Sequence, residues 1–155
     1  MTTAKKLGCV KEIIQNKVAK DMPLLGICVE LQLFFEENME SYGAGLALFN
    51  GKIIQFQSDL KFSHIGWDTI NIVKSCALFD GITDGVYAYF VRSLYSAPID
   101  ESGVCAKITY GTIFASAVVV KNGYGFQVHP EKLGDVDFAD YVKLYQTSNE
   151  VSKCS

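Results

Sequence analysis

MPLLGICVELQLFFEE, running from Met22 to Glu37, changes its periodicity at a single cysteine. Met22 to Ile27 is a short apolar run with leucine and β-branched content, suited to a buried strand. From Val29 to Glu37, Leu31, Phe34 and Phe35 recur at i, i+3 and i+4, the spacing of one helix face. Cys28 is thereby predicted at a strand-to-helix turn with its sulfur near the helix N-terminus. There the macrodipole and the free backbone N–H groups favour a thiolate. A thiolate needs a base to manage its proton, and the base needs an orienting partner. Far along the chain, His129-Pro130-Glu131-Lys132 offers both. Pro130 biases His129 towards an extended backbone, and side chains two apart on an extended segment share a side. Cys28, His129 and Glu131 read together as a Cys-His-Glu site. Either motif alone would fit an inert core cysteine or a surface histidine.

The chain has 155 residues, enough for one domain with a substantial core. Hydrophobic residues at 49% and charged residues at 20% give the balance of a compact soluble protein rather than a disordered one. A net charge of −3 argues against nucleic-acid binding, because no basic stripe offers phosphate neutralisation. Lys5, Lys6, Lys11, Lys17 and Lys20 cluster weakly with Glu12 among them and read as a solvated helix face. Five cysteines (Cys9, Cys28, Cys76, Cys105, Cys154) are an odd count without C-x-x-C spacing. That disfavours both a metal site and a disulfide framework, and it points to a reducing compartment. No secretory leader or membrane span is evident, so a cytoplasmic location is expected, with no membrane association.

Outward from the cysteine, Leu7 to Lys20 carries a helical stripe of Leu7, Val10, Ile14 and Val18, stopped at Asp21-Met22-Pro23. Leu46–Phe49 and Lys52–Phe56 read as a hairpin across Asn50-Gly51, the dipeptide favoured in type I′ turns. A loop and a short strand, Thr69–Val73, are expected within Phe62–Val73. Val86–Val91, Val104–Tyr110, Thr112–Val120 and Tyr124–Val128 read as strands, the last two joined at Asn122-Gly123. Phe138, Tyr141, Val142 and Tyr145 give a helical face, and Thr147–Ser155 a polar tail. A layered α/β domain with an antiparallel extension follows. The cysteine would lie at the carboxyl end of a central strand, where open α/β sheets place their ligands.

Taken together, PLLGICVELQLFFEE (Pro23–Glu37), GAGLALFNGKI (Gly43–Ile53), SHIGWD (Ser63–Asp68), YAYFVRSLY (Tyr87–Tyr95), FASAV (Phe114–Val118) and YGFQVHPEKLG (Tyr124–Gly134) resemble the class I glutamine amidotransferases. Within that family they are most similar to the glutaminase subunit of imidazole glycerol phosphate synthase. The resemblance runs from about Leu7 to Tyr145. It implies a flavodoxin-like layered α/β fold, with residues 1–155 forming a single, partial amidotransferase domain. It implies that Cys28 attacks the side-chain amide of glutamine, that His129 shuttles protons and that Glu131 orients the imidazole. Gln32 and Ser93 fall at substrate-binding positions. His64, Gly66, Trp67 and Lys132 match the interface with a (β/α)8-barrel cyclase subunit, which would take up the ammonia for histidine biosynthesis. Trp67 as a core aromatic and Lys132 as a solvated charge stand as alternatives. No cofactor and no metal are implied.

Three departures from the family pattern bear on activity. Relatives carry a βαβ-type portion before the helix that here begins at Leu7, including a Pro-Gly-x-Gly loop that helps form the oxyanion hole. No such loop precedes Cys28, and losing one oxyanion donor typically costs about a hundred- to a thousand-fold in rate. The missing strands are also expected to expose a sheet edge. Glu30 stands where the family has glycine, and a carboxylate there raises the thiol pKa by like-charge repulsion. Arg92 replaces the usual histidine. A catalytically silent binding module, or the amidotransferase subunit of another synthase, are therefore the competing readings.

Overall fold

A computed structural model describes residues 11–18, 20, 22–38, 45–56 and 64–129. A first helix, α1, covers residues 11–18, inside the stripe expected from Leu7 to Lys20. Its Val18 is buried, and Gln15 donates to the carbonyl of Leu46. Strand β1 (Leu24–Ile27) and helix α2 (Val29–Leu33) flank Cys28 as the change of period predicts. Then follow β2 (Phe35–Asn38), β3 (Phe49–Gln55), β4 (His64–Thr69), β5 (Asn71–Ile72), β6 (Tyr87–Arg92), β7 (Leu94–Pro98), β8 (Val104–Tyr110), β9 (Thr112–Val120) and β10 (Gly123–Phe126). The main sheet runs β1-β10-β9-β7-β3-β2, with β8 on β9 and β5 on β8. β4 and β6 pair separately, as a two-stranded antiparallel ribbon.

Strands β8 and β9 coincide with the β-branched runs read from sequence, and the chain reverses between them at Gly111, whose φ is 67°. Hydrogen-bond partners on both sides of β9 bind it to β10, β7 and β8. Two apolar clusters result. One gathers Phe56, Ile70, Phe79, Phe90, Phe114 and Phe126, and the other packs Leu31 and Phe34 of the α2 segment against Phe35, Phe49, Ile53 and Val118.

The structure corrects four local expectations. The helix after Cys28 ends at Leu33 instead of Glu37. A continuing helix would need the carbonyls of Leu33 and Phe34 for its own N–H groups four residues on. They instead accept from Leu46 at 2.6 Å and from Leu48 and Phe49 at 2.9 Å, so Phe35 starts a strand. Asn50-Gly51 makes no hairpin, because β3 passes straight through it, parallel to β2 and antiparallel to β7. Gly51, at φ 150°, is needed there for close approach: a Cβ would lie 2.6 Å from the carbonyl oxygen of Ala97. Thr69–Val73 is split, with β4 ending at Thr69 and β5 starting at Asn71. Between them the buried Ile70 bonds backbone to backbone with Val86 and Gly85. Finally, the β9–β10 turn is Lys121-Asn122, one residue earlier than expected, with Gly123 already paired to Val120. The helix expected around Phe138–Tyr145 and the tail Thr147–Ser155 lie outside the described residues.

The pairing that positions the site is β1 against β10. These strands are parallel, in register from Leu24 opposite Gly123 to Ile27 opposite Phe126. Their carboxyl ends therefore open at one end of the sheet, Cys28 after β1, which among the described residues is the edge strand instead of the central one expected, and Gln127 to His129 after β10.

Candidate active site

Cys28 has φ 55° and ψ −102°, a conformation that a residue with a Cβ seldom adopts. Two features hold it there. Its N–H donates to the carbonyl of Phe126 at 2.7 Å. In addition, α2 is pressed onto β1 and β10 through two glycines. A Cβ on Gly26 would come within 2.9 Å of the Phe34 ring, and one on Gly125 within 2.3 Å of Leu31 Cδ1. The result is a sharp strand-turn-helix elbow with the half-buried sulfur at its tip, the backbone shape of a nucleophile elbow.

Gln127 Nε2 lies 3.8 Å from Cys28 Sγ and donates to it. Its backbone N–H bonds the carbonyl of Ser116 at 2.8 Å, which locks β10 to β9 just beside the sulfur. Gln32, one turn along α2 from Cys28, is 4% exposed, and Gln127 is 2% exposed. Among the described residues the side-chain carbonyl oxygens of both lack a hydrogen-bond partner, as does Ser116 Oγ. Buried amide oxygens carry a desolvation cost of about 1–3 kcal/mol until something donates to them. Donor groups on a bound ligand would remove it. Half-buried His129 follows Gln127 by two residues. Glu131 and Lys132 lie outside the described residues.

The thiol itself departs from expectation. Burial and then the Glu30 carboxylate push the Cys28 pKa up. The Val29 N–H, the charge of Arg92 and the Gln127 amide act the other way without reversing the shift. A five-residue helix supplies little macrodipole, so removal of the sulfur from water dominates. Resting Cys28 is a protonated thiol.

Arg92 stands out in the sequence only as a departure, yet it is buried with its charge felt at Cys28. It is 6% exposed, with its guanidinium 4.1 Å from the Phe114 ring centroid and 4.7 Å from that of Phe90. Nη2 lies 3.5 Å from His64 Nδ1, while Nε and Nη1 have no partner among the described residues. Burial lowers its pKa to about 9, and the attractions of Cys28 and Asp68 oppose that, so it remains cationic at neutral pH. Ser93, the next residue, is exposed at the β6–β7 junction, and its carbonyl accepts from Phe56 N–H.

Of the residues matched to a partner face, His64, Gly66 and Trp67 are described, and they separate. His64 is 4% exposed, stacked between Tyr110 at 4.0 Å and Phe90 at 5.0 Å. Burial and Arg92 lower its pKa to about 4, so it is neutral and structural in position. Gly66 is half-buried in β4. Trp67 is 56% exposed, which removes the core-aromatic alternative. Beside it stand exposed Ile65, Tyr87 and Val91, and the β4–β6 register pairs Ile65 with Val91 and Trp67 with Tyr89.

The sequence points to Cys28 and Gln32 but gives little sign of Gln127 and Ser116, which the structure brings to the same region. The only available signal was Gln127 standing two residues before His129. Among the described residues, no three His, Cys, Asp or Glu side chains come together as metal ligands do. No helix there is long and apolar enough to cross a membrane.

Known proteins fit this geometry. Residues 2–144 match the family described as glutamine amidotransferase class-I. The imidazole glycerol phosphate synthase subunit HisH of Methanocaldococcus jannaschii is 40% identical over 131 residues, covering 84% of this chain and 66% of the relative. Its namesake from Pyrococcus furiosus is 40% identical over 129 residues, covering 82% and 66%. That of Thermococcus kodakarensis is 42% identical over 134 residues, covering 83% and 68%. The chain thus spans about two-thirds of the length of these relatives. Among solved structures, a Thermotoga maritima glutamine amidotransferase superposes with TM-score 0.61 at 18% identity, covering 96% of this chain and 57% of that one. A putative GMP synthase component from Thermoplasma acidophilum gives 0.66 at 18% identity, covering 97% and 69%. At that identity the two structures speak for the fold.

Proposed function

The chain belongs to the class I glutamine amidotransferase family, and from that premise we propose that it is a glutaminase subunit of imidazole glycerol phosphate synthase. It would hydrolyse glutamine to glutamate and ammonia in the cytoplasm. The ammonia would pass to a (β/α)8-barrel cyclase subunit, bound as a heterodimer, for histidine biosynthesis. Residues 1–155 are taken as one amidotransferase domain. The observation that carries the reading is the parallel β1–β10 pair, which opens Cys28 and the segment leading into His129-Pro130-Glu131 at one end of the sheet.

In this reading His129 takes the Cys28 proton as the sulfur attacks the glutamine amide carbon. Because the resting thiol is protonated, attack and proton transfer are coupled, and Glu131 stabilises the imidazolium. The Val29 N–H, already directed at the sulfur, is placed to meet the developing oxyanion. His129 then returns the proton to the departing ammonia, and water releases glutamate from the thioester. Gln32 and Gln127 offer unpartnered carbonyl oxygens to the substrate's donor groups, and Ser93 borders the site. Trp67, with Ile65 and Val91 beside it on the exposed ribbon, is the face offered to the barrel. Gly66 shapes that ribbon, and Lys132 completes the contact. His64 supports the face from beneath.

A second reading is a silent homologue that only docks. The raised Cys28 pKa and the Glu30 charge favour it. Glutamate release assayed with and without the cyclase subunit separates the two. Turnover that rises on adding the barrel supports the glutaminase reading. Stable binding without turnover supports the silent one, and neither binding nor turnover overturns both.

A further inference from the structure

A second pair of sulfur atoms lies away from the elbow. Cys76 caps the short 3-10 turn Ala77–Phe79 in extended backbone, φ −155° and ψ 164°. Its loop is hooked to β8 by Val73 and Lys74, whose N–H groups both donate to the carbonyl of Cys105, at 2.9 and 3.1 Å. This hook brings the Cys76 side chain beside that of Cys105. Cys105 is 1% exposed, with its sulfur 3.8 Å from the carbonyl of Gly103. Cys76 is half-buried, and its neighbours Lys74, Ser75 and Phe79 line an open cleft of about 320 Å³.

The two thiols are made unequal by their surroundings. The Cys76 thiol lies beside Cys105 and the start of the 3-10 turn, where the Phe79 N–H donates to the Cys76 carbonyl at 3.0 Å, with the Lys74 ammonium nearby. The neighbouring Cys105 is the largest cause of a Cys76 pKa near 7, against the opposing effect of burial. The same proximity, with burial, pushes Cys105 well up. Asp84, on the opposite wall of the cleft, is held by the N–H of Ile72. At neutral pH one sulfur is an available nucleophile, and the other keeps its proton and stays shielded.

We infer that Cys76 and Cys105 form a second reactive thiol site, a dithiol that exchanges with small disulfides entering from the cleft and closes to an internal disulfide. Cys76 thiolate attacks one sulfur of the small disulfide. Its S–S bond breaks, and one thiolate leaves and takes up a proton. Cys105 then loses its proton, attacks the Cys76 sulfur and expels the second thiolate. The protein gives up two electrons and two protons, and the small disulfide becomes two thiols.

The test treats the full reduced chain with glutathione disulfide at pH 7 and maps the products by mass spectrometry. A chain lighter by two hydrogens, with the Cys76 and Cys105 peptides linked, is expected. Relative to a thiol at 9.0, ionisation gains Cys76 about fiftyfold and lowered nucleophilicity takes back about tenfold. A rate about fivefold above such a thiol follows. In Cys105→Ala the reaction should stop at a glutathione adduct on Cys76. Cys76→Ser should lose both products, and because Cys76 stands half-open in a loop, that variant keeps the test valid if Cys105→Ala fails to fold. Phenylarsine oxide, which bridges paired thiols, should shield both from alkylation in the parent chain only. A persistent Cys76 adduct in the parent, linkage to another cysteine, or equal rates at all five cysteines would each overturn the inference.

Discussion

Cys28 and Cys76 are both half-buried thiols that stand immediately before a helical turn, yet their surroundings drive them in opposite directions. Cys28 sits in a strained conformation with one amide donor and a carboxylate beside it, and burial raises its pKa. Cys76 sits in relaxed extended backbone beside Cys105 and Lys74 and titrates near 7. Proximity to a helix start therefore does not decide reactivity here. What decides it is the polar and charged neighbours of the sulfur against the water removed from it. In the proposed reaction the elbow places the Cys28 sulfur and leaves its ionisation to a base. The loop ionises unaided and has no elbow to direct it.

Four experiments probe this division, in descending order of effect. Cys28→Ser should lower glutamate release by about a thousandfold or more, as loss of a nucleophile does. Cys76→Ser should leave it unchanged, and equal losses would erase the distinction. The second concerns acid. His64 has a folded-state pKa near 4 against an ordinary 6.5, so the unfolded chain binds its proton first. Stability from this group is complete above 6.5 and is lost as pH falls towards 4. Between pH 7 and pH 5 the loss should be about 2 kcal/mol in urea unfolding, and absent in His64→Phe.

Glu30→Gly comes third. After burial, Glu30 is the largest influence raising the Cys28 pKa, so its removal should speed Cys28 alkylation near pH 8 about threefold and slightly weaken α2, with Glu30→Gln recovering the electrostatic part alone. An unchanged pH profile in both variants would mean that Glu30 does not reach the sulfur. Smallest at the sulfur is Arg92→Met. Removing the cation takes away a lesser influence that lowers the Cys28 pKa, so alkylation of Cys28 should slow by about twofold. Cys76 alkylation should not change. Because the buried guanidinium has unpartnered donors, stability should hold or rise by about 1 kcal/mol. A fall in stability would show those donors to be satisfied.

Much of this was legible in the sequence where local preference and tertiary context agree. β8 and β9 are stretches free of glycine and proline, rich in β-branched residues and paired to each other, and their limits are readable to the residue. The elbow was legible because the apolar period changes at Cys28. The rest depended on distant partners. Nothing in Phe34-Phe35 announces that residues 46–49 will take the carbonyls a longer helix would need. Asn50-Gly51 has the composition of a turn and the surroundings of a central strand, and the surroundings win. Gln127 reaches the Cys28 sulfur only because β10 lies parallel to β1, a register no residue encodes locally. Arg92 looks like a substitution on a strand, and its meaning comes from the aromatic rings that enclose it.

The exposed ribbon also fixes what optical spectroscopy can report. Trp67 is the chain's single tryptophan, and it is 56% exposed in the folded state. Its emission is already that of a wet indole, so denaturation will scarcely move its wavelength, and intrinsic fluorescence will underreport unfolding. Any surface that covers β4 and β6 must dehydrate that same ring and shift its emission to the blue. Tyr89 lies 5.6 Å away, close enough to pass its excitation to the indole. The chain therefore carries a native dye that is nearly silent on its own folding and responsive to whatever docks on it.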